Sequence, residues 1–383
     1  MTIEYIKQLG KNKSGENFDL LLEIYNQELP IEIKREVVSS IGRQKDDNKV
    51  YNFLIENAFK KNYMDIIYQM FRTTLYRYDI DKFARLCEDM KSFYKNEIMD
   101  KMYDYKIGKK DNKVVLRKST ISKPLILKGN SITTLKKLKE GDINLIFTSP
   151  PYYNAREYSD YNNYKKYLLE LKKVFKQCHR VLEDGRFIII DVSPVITKRP
   201  GREFESIRYP IHFDLHKLLT DIGFYFIDEI IWEKPEPSVP NRIGGYMQTK
   251  NPLAYKPNCV TESIMVYRKK CNFLLDKNIS KYTKDKNYKP NDDKMNTSNI
   301  WKIPPSSSKN HPAIFPDELC KRVLKYYSFE GDVVLDPFAG IGTFGKVAYK
   351  MNRIPVMCEI NEEYLKIIES EGIYNDIWKA SNR

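Results

Sequence analysis

The sequence predicts an α/β fold: a mostly parallel, doubly wound sheet with helices on both faces, preceded by an all-helical domain. Three observations predict it. From about residue 124 onward, short apolar runs alternate with amphipathic helical patterns, the rhythm of strand–helix–strand units. Seven such runs occur, and most are continuously apolar, as strands covered on both faces must be. Before residue 107 the same 3.6-residue periodicity recurs with no intervening strand signal.

The elements follow in order. "IKREVVSSIGRQ" places Ile33, Val37, Val38 and Ile41 on one helical face. "KVYNFLIENAFKK" and "MDIIYQMFRTTLY" repeat the pattern, so residues 1–107 read as a helical accessory domain, either an array resembling HEAT repeats or an irregular bundle. Residues 108–123 are polar and basic and read as a linker. Strands are predicted at "LILKG", "NLIF", "RFIIID", "FYFIDEIIW", "SIMVYR", "VVLD" and "IPVMCEI". Between the second and third, Tyr164, Tyr167, Leu168, Leu171, Val174, Phe175, Cys178, Val181 and Leu182 trace one helical stripe. "EDG" at 183–185 is expected to stop that helix. Residues 233–258 are rich in Pro, Gly and Asn, and 269–299 in Lys and Asn. Insertions of that length in a compact domain are functional or disordered.

The chain has 383 residues, 42% hydrophobic and 30% charged, a globular composition large enough for more than one core. Lys and Arg number 65 against 51 Asp and Glu, a net charge of +14. Such an excess suits a polyanionic partner, nucleic acid first; a lysine-rich soluble surface is the alternative reading. None of the six cysteines forms a C-x-x-C pair, which argues against a zinc knuckle or a disulfide framework. No signal-peptide pattern opens the sequence and no apolar run is long enough to span a bilayer. A cytoplasmic protein without membrane partners is expected. His212 and His216 have i, i+4 spacing but no further ligands nearby, so a helix face is expected there and no metal.

Two stretches carry chemistry. "GDVVLDPFAGIGTFGKVAYKMNR" (331–353) runs a strand into a turn with Gly340 and Gly342, and a helix is expected to begin near Thr343. Glu359 follows the next strand, 23 residues after Asp336. A strand, glycine turn and helix with an acid about 20 residues on is how α/β folds hold an adenosine ribose. No G-x-x-x-x-G-K-[ST] occurs, so a triphosphate is disfavoured. The second stretch is "TSPPYYNAREYSDY" (148–161), which ends the strand "NLIF" with a serine, two prolines and tyrosines. Proline cannot donate to a ladder, so the strand stops there, and Pro151 restricts the residue before it.

Together, "DPFAGIGT" and "TSPPY" resemble the cofactor loop and catalytic loop of the amino-group DNA methyltransferases, which methylate N4 of cytosine or N6 of adenine. The catalytic loop comes first, with the long insertion between, an order that resembles the permuted β group of that family. Methyltransferases of small molecules, RNA and protein with a similar loop usually carry the cofactor loop first. The resemblance covers about residues 124–370 and implies a seven-stranded class I methyltransferase sheet using S-adenosylmethionine. It divides the domain into a catalytic half (124–234), a target-recognition region (235–300) and a cofactor-binding half (301–383). By the same resemblance Asp336, Phe338, Gly340, Gly342 and Thr343 line the cofactor and Glu359 takes the ribose hydroxyls. His311, Pro312 and Phe315 would close the methionine end. Asn130 matches a position where the family often carries an aspartate.

The implied chemistry explains the turn. An exocyclic amine is a poor nucleophile because its lone pair is delocalised into the ring. Ser149 Oγ and the Pro150 carbonyl, held by Pro151, would accept its N–H bonds and turn the lone pair toward a methyl carbon about 3–3.5 Å away. Tyr152 would stack on a base flipped from double-stranded DNA. No Pro-Cys dipeptide occurs, so a cysteine nucleophile has no candidate. Serine is typical of the family's N4-cytosine enzymes, whereas its adenine enzymes mostly carry Asp or Asn. The expected function is therefore a cytosine-N4 DNA methyltransferase, with adenine-N6 chemistry and a non-catalytic DNA-binding subunit as alternatives. Arg156, Lys234, Arg242, Lys250, Lys256 and the lysines of 277–294 would contact phosphates. Tyr246, Gln248, Asn251 and Asn258 would read base edges. Tyr153, Tyr158 and Tyr161 would steady the flipped base or pack over the sheet edge. Glu262 reads as a framework residue. No nuclease constellation is found, so a cognate restriction endonuclease would be a separate protein.

Overall fold

The computed structural model describes residues 1–104, 118–153, 163–196, 203–204, 207–239, 252–253, 257–271, 273–285, 288–290, 297–306 and 314–373. The chain divides into two compact units, 1–114 and 115–383. The division falls within the stretch expected to be a linker, of which 108–117 lie outside the described residues.

The first unit is helical: α1 (Ile3–Lys11), α2 (Phe18–Tyr25), α3 (Ile31–Gly42), α4 (Asp47–Asn57), α5 (Met64–Tyr76), α6 (Asp81–Tyr94) and α7 (Glu97–Asp104). Val37, Val38 and Ile41 of α3 are fully buried with Ile66, Met70 and Phe71 of α5 and Phe83 and Met90 of α6. Each such side chain contributes about 1.5–3 kcal/mol by leaving water. Gly42 permits the α3–α5 contact, since a β-carbon there would lie 2.6 Å from Thr73 Oγ1. Arg77 donates to the carbonyls of Gly42 (2.5 Å) and Gln44 (2.6 Å), satisfying acceptors that the end of α3 leaves open.

The second unit is built on one sheet. Its strands are β1 (Leu125–Lys128), β2 (Ile143–Thr148), β3 (Leu182–Val192), β6 (Phe224–Glu233), β7 (Thr261–Lys269), β8 (Ile300–Lys302), β9 (Val333–Asp336) and β10 (Ile354–Glu359); β4 (Val195–Ile196) and β5 (Arg208–Tyr209) form a separate pair. The spatial order is β1-β10-β9-β2-β3-β7-β6-β8, with only β7 antiparallel to its neighbours. All seven predicted strands are present, and the short β8 adds an eighth at the edge.

Alternation along the strands feeds two cores. Ile146, Ile188, Ile190 and Leu335 face the layer of helix α9 (Tyr164–Val181), following α8 (Ser131–Thr134), with Tyr167, Leu171, Phe175 and Cys178 buried against them. Leu145, Phe147, Ile189 and Val334 face the opposite layer, which includes Leu319 and Val323 of a helix at Asp317–Tyr327 and Phe344 and Val347 of another at Thr343–Lys350. Asn163 caps α9 by accepting from Lys166 N at 2.8 Å, worth about 1 kcal/mol. The "EDG" stop is corrected: α9 ends at Val181 and Glu183–Gly185 already belong to β3. The register there slips between Ile143↔Leu182 and Leu145↔Phe187, so the three residues form an irregularity within the strand.

The N-terminal ends of the parallel strands are bolted together. Arg186 pairs with Asp332, both almost fully buried, and donates to Asn144 O at 2.7 Å. Part of the expected recognition region packs here. In the helix Leu275–Thr283, Tyr282 stacks on Phe329 at 4.1 Å and bonds to Asp332, and Lys281 pairs with Glu183 at 3.0 Å. Lys281 is thus engaged at the start of β3 and β9, away from the strand ends that carry the two chemical motifs.

Candidate active site

β2 lies between β9 and β3, so the ends of β2 and β9 open side by side at the C-terminal edge of the sheet. That edge is where open α/β sheets bind ligands. Thr148 Oγ1 donates to Asp336 Oδ1 at 2.6 Å, across a separation of 188 residues in the chain. Ser149 therefore starts its turn one residue from a side chain that grips the opening of the glycine turn.

The glycine turn is held by backbone. Phe338 N donates to Asp336 Oδ1 at 3.0 Å, and Gly342 N to Ala339 O at 2.9 Å. Gly340 and Gly342 have φ of 54° and 82°, the left-handed region that a side chain strains. A β-carbon on Gly342 would also lie 3.0 Å from Ile368 Cγ1 and from Met357 Cε. Thr343 opens the next helix, as expected. Ser131 Oγ donates to Pro337 O at 2.5 Å and fixes the turn from β1's side. Glu359, at the end of β10, accepts Gly340 N at 2.7 Å and Ile360 N and Asn361 N at 2.8 Å each. A carboxylate has about four acceptor sites, so these three donors leave one open.

Charge at this edge is poorly solvated. Burial pushes Asp336 up to about 7, against the opposing bonds from Thr148 and Phe338. Burial likewise raises Glu359, opposed by its three backbone donors. A cation beside them would favour the ionised forms.

Behind the serine turn lies a polar row that sequence reasoning missed. Tyr152, half-buried, donates its hydroxyl to Glu262 Oε2 at 2.5 Å, and Glu262 Oε1 pairs with Lys234. Asp191, at the end of β3, is buried beside Glu262, and its Oδ1 has no hydrogen-bond partner. Lys234 is thus an internal partner of Glu262, with a side chain only 15% exposed, and is not free to meet phosphate. An acid ending the run "RFIIID" was the available signal for Asp191; Glu262 and Lys234 gain meaning only from the pairing of β6 with β7, which sets Trp232 opposite Glu262.

Other expected residues fall elsewhere. Asn130 caps α8, accepting from Ile132 N at 2.9 Å. Phe315 stacks on Phe147 at 4.5 Å within the core. Tyr153 is buried among Tyr164, Tyr167 and Tyr209, the packing option of the two considered. His216 meets the Tyr267 hydroxyl at 3.1 Å. Asn258 Nδ2 donates to Val239 O at 3.4 Å. His311, Pro312, Arg156, Tyr158, Tyr161, Arg242, Tyr246, Gln248, Lys250, Asn251 and Lys256 lie outside the described residues.

A parallel sheet with a glycine turn ending one strand, an acid ending the next and a second turn on the neighbouring strand defines a class I methyltransferase. Residues 143–370 match the model of the N6/N4 DNA methylase family, and the chain belongs to that family of S-adenosylmethionine-dependent DNA methyltransferases. It is 32% identical to the type II methyltransferase M.HpaI of Haemophilus parainfluenzae over 62% of this chain and 70% of that one. It is 30% identical to the orphan methyltransferase M.BamHII of Bacillus amyloliquefaciens over 59% of this chain and 86% of that one. Against the type II beta methyltransferase M.BslI of Bacillus sp. (strain NEB-606), at 26% identity, 66% of this chain spans 28% of the relative. Among solved structures, the DNA modification methylase TTHA0409 of Thermus thermophilus in complex with S-adenosyl-L-methionine aligns at a TM-score of 0.49 and 25% identity, covering 66% of this chain and 94% of that one.

Proposed function

We propose that the chain methylates the N4 amine of cytosine at a specific site in double-stranded DNA, as the modification partner of a separate restriction endonuclease. The observation that carries the reading is the 2.6 Å bond between Thr148 and Asp336, which sets the Ser149 turn against the glycine turn. The bound cofactor supplies an electrophilic methyl group. Asp336 and Glu359 hold its positive and ribose ends, and Ser149 and the Pro150 carbonyl accept the N–H bonds of the amine. Tyr152 stacks on the flipped base with its hydroxyl anchored on Glu262. Serine at 149, in place of the Asp or Asn of most adenine enzymes in the resembling family, favours cytosine. The loop order favours the permuted β group. Arg156, Arg242, Lys250 and Lys256 serve as phosphate contacts, residues 235–300 as the target-recognition region and residues 1–107 as an accessory module.

Transfer of tritiated methyl to DNA, followed by nucleoside analysis, tests the reading. N4-methylcytosine is the expected product. N6-methyladenine would move the base assignment to adenine on the same scaffold, and a protein that binds DNA without transferring methyl would be the non-catalytic subunit.

A further inference from the structure

We propose that Glu262 and Lys234 are positioning residues of the methyl-transfer site: clamped together, they hold the Tyr152 ring where it receives the flipped base. The proposal rests on the reading of Tyr152 as the residue that stacks on that base. The need is mechanical. A lone pair attacks a methyl carbon only within a narrow range of distance and angle, and a misplacement of about 1 Å costs on the order of 100-fold in rate. A tyrosine joined to the chain at one end only can swing about its first side-chain bond between staggered positions. A second anchor at its hydroxyl removes that freedom.

The structure contains the anchor and what braces it. Tyr152 follows the two prolines, and its half-buried ring packs against the core that contains Tyr153 and Val192. Its hydroxyl donates to Glu262 Oε2 at 2.5 Å. The other carboxylate oxygen, Oε1, is paired with Lys234 Nζ, so Glu262 is gripped at both oxygens and cannot turn away. Lys234 is itself fixed at two further points. Its backbone N–H donates to Val260 O at 2.9 Å, and its ammonium lies 4.7 Å from the centre of the Trp232 ring. Trp232, opposite Glu262 in the pairing of β6 with β7, is buried and donates its indole N–H to Ile303 O at 2.7 Å. The tether thus runs from the catalytic turn through Glu262, Lys234 and Trp232 to a carbonyl just past the edge strand β8.

Stability does not account for this arrangement. The side chains of Lys234 and Glu262 are only 15% and 12% exposed. An ion pair so little hydrated offsets its desolvation penalty poorly, and apolar residues of similar volume often stabilise a fold as well or better. What this pair provides, and apolar residues would not, is an oxygen held at a fixed point beside the tyrosine hydroxyl.

The test uses the full chain and plasmid DNA propagated without it. Single-turnover transfer of tritiated methyl is measured at saturating cofactor and DNA, well below the melting temperature, for Tyr152→Phe, Glu262→Gln, Lys234→Met and the double variant Tyr152→Phe/Glu262→Gln. Tyr152→Phe keeps the ring and loses only the anchor; Lys234→Met keeps a stem over Trp232 and loses the brace. Each single change is expected to slow the saturated rate about 10- to 100-fold, while the dissociation constant of S-adenosylmethionine stays unchanged. The double variant should be no slower than the slower single one, because both act through one hydroxyl. A merely structural role would lower the melting temperature and leave the saturated rate of the folded protein at its wild-type value. A wild-type saturated rate in any of the three single variants, or a double variant slowed by the product of the two single effects, overturns the proposal and leaves the methyltransferase reading intact. If Glu262→Gln or Lys234→Met does not fold, Tyr152→Phe decides alone. If the wild-type protein itself moves no methyl, the proposed activity and the positioning role fall together.

Discussion

Replacing Asp336 by Asn removes a charge without removing a contact. Its Oδ1 accepts Thr148 Oγ1 at 2.6 Å and Phe338 N at 3.0 Å, and an amide oxygen can accept both. Below about pH 4 the acid is neutral in the folded and the unfolded chain, and burying it carries no charge penalty. Between about 4 and 7 the unfolded chain ionises first, because burial holds the folded carboxyl at about 7 against an ordinary 3.8. Stability is therefore lost as pH rises through that window. At about 1.4 kcal/mol per pH unit the full loss is on the order of 4 kcal/mol. Local relaxation and a newly buried amide N–H reduce the gain from substitution to about 1–3 kcal/mol. The cofactor-free Asp336→Asn protein should thus be more stable than wild type at pH 8, and the difference should close toward pH 4. No tryptophan precedes Trp232 in the sequence, and Trp232 and Trp301 are buried in the second unit, so tryptophan fluorescence during urea unfolding reads the unit concerned. The same substitution should weaken S-adenosylmethionine binding and flatten its pH dependence, which in wild type should strengthen from pH 6 to 8. A variant less stable than wild type at pH 8, or a difference independent of pH, would refute the reasoning.

Ser149→Ala should lower turnover about 100- to 1000-fold while the cofactor dissociation constant, measured by calorimetry, stays unchanged. Gly342→Ala should cost about 1–3 kcal/mol, since φ is 82° and the new β-carbon meets Ile368 and Met357 at 3.0 Å; a lower melting temperature checks it. Asp332→Ala should cost about 3–5 kcal/mol, read from the urea midpoint, because it strands the buried Arg186 without its partner.

The parallel core was legible because its strands are apolar on both faces, and the two turns because proline and glycine constrain backbone directly. β8 escaped notice because it is three residues long and only Trp301 faces inward. "EDG" misled because Gly185, with φ at 75°, has the look of a helix stop, whereas pairing of Leu182 with Ile143 had already committed the chain to a strand. Lys234 reads as a phosphate contact because a sequence displays a charge but not its partner. Asp191 and Glu262 are 71 residues apart in the chain, and their proximity follows from β3 pairing with β7, which no local pattern encodes.

The position of β2 has a consequence during synthesis. It is buried along its whole length, yet its neighbour β9 is made roughly 180 residues later. At about 5–20 residues per second, β2 waits roughly ten to forty seconds on the ribosome with one hydrogen-bonding edge uncovered. The nascent chain is therefore most exposed to misassociation in that interval, and slowing translation between codons 148 and 333 should lower soluble yield more than slowing it after codon 360.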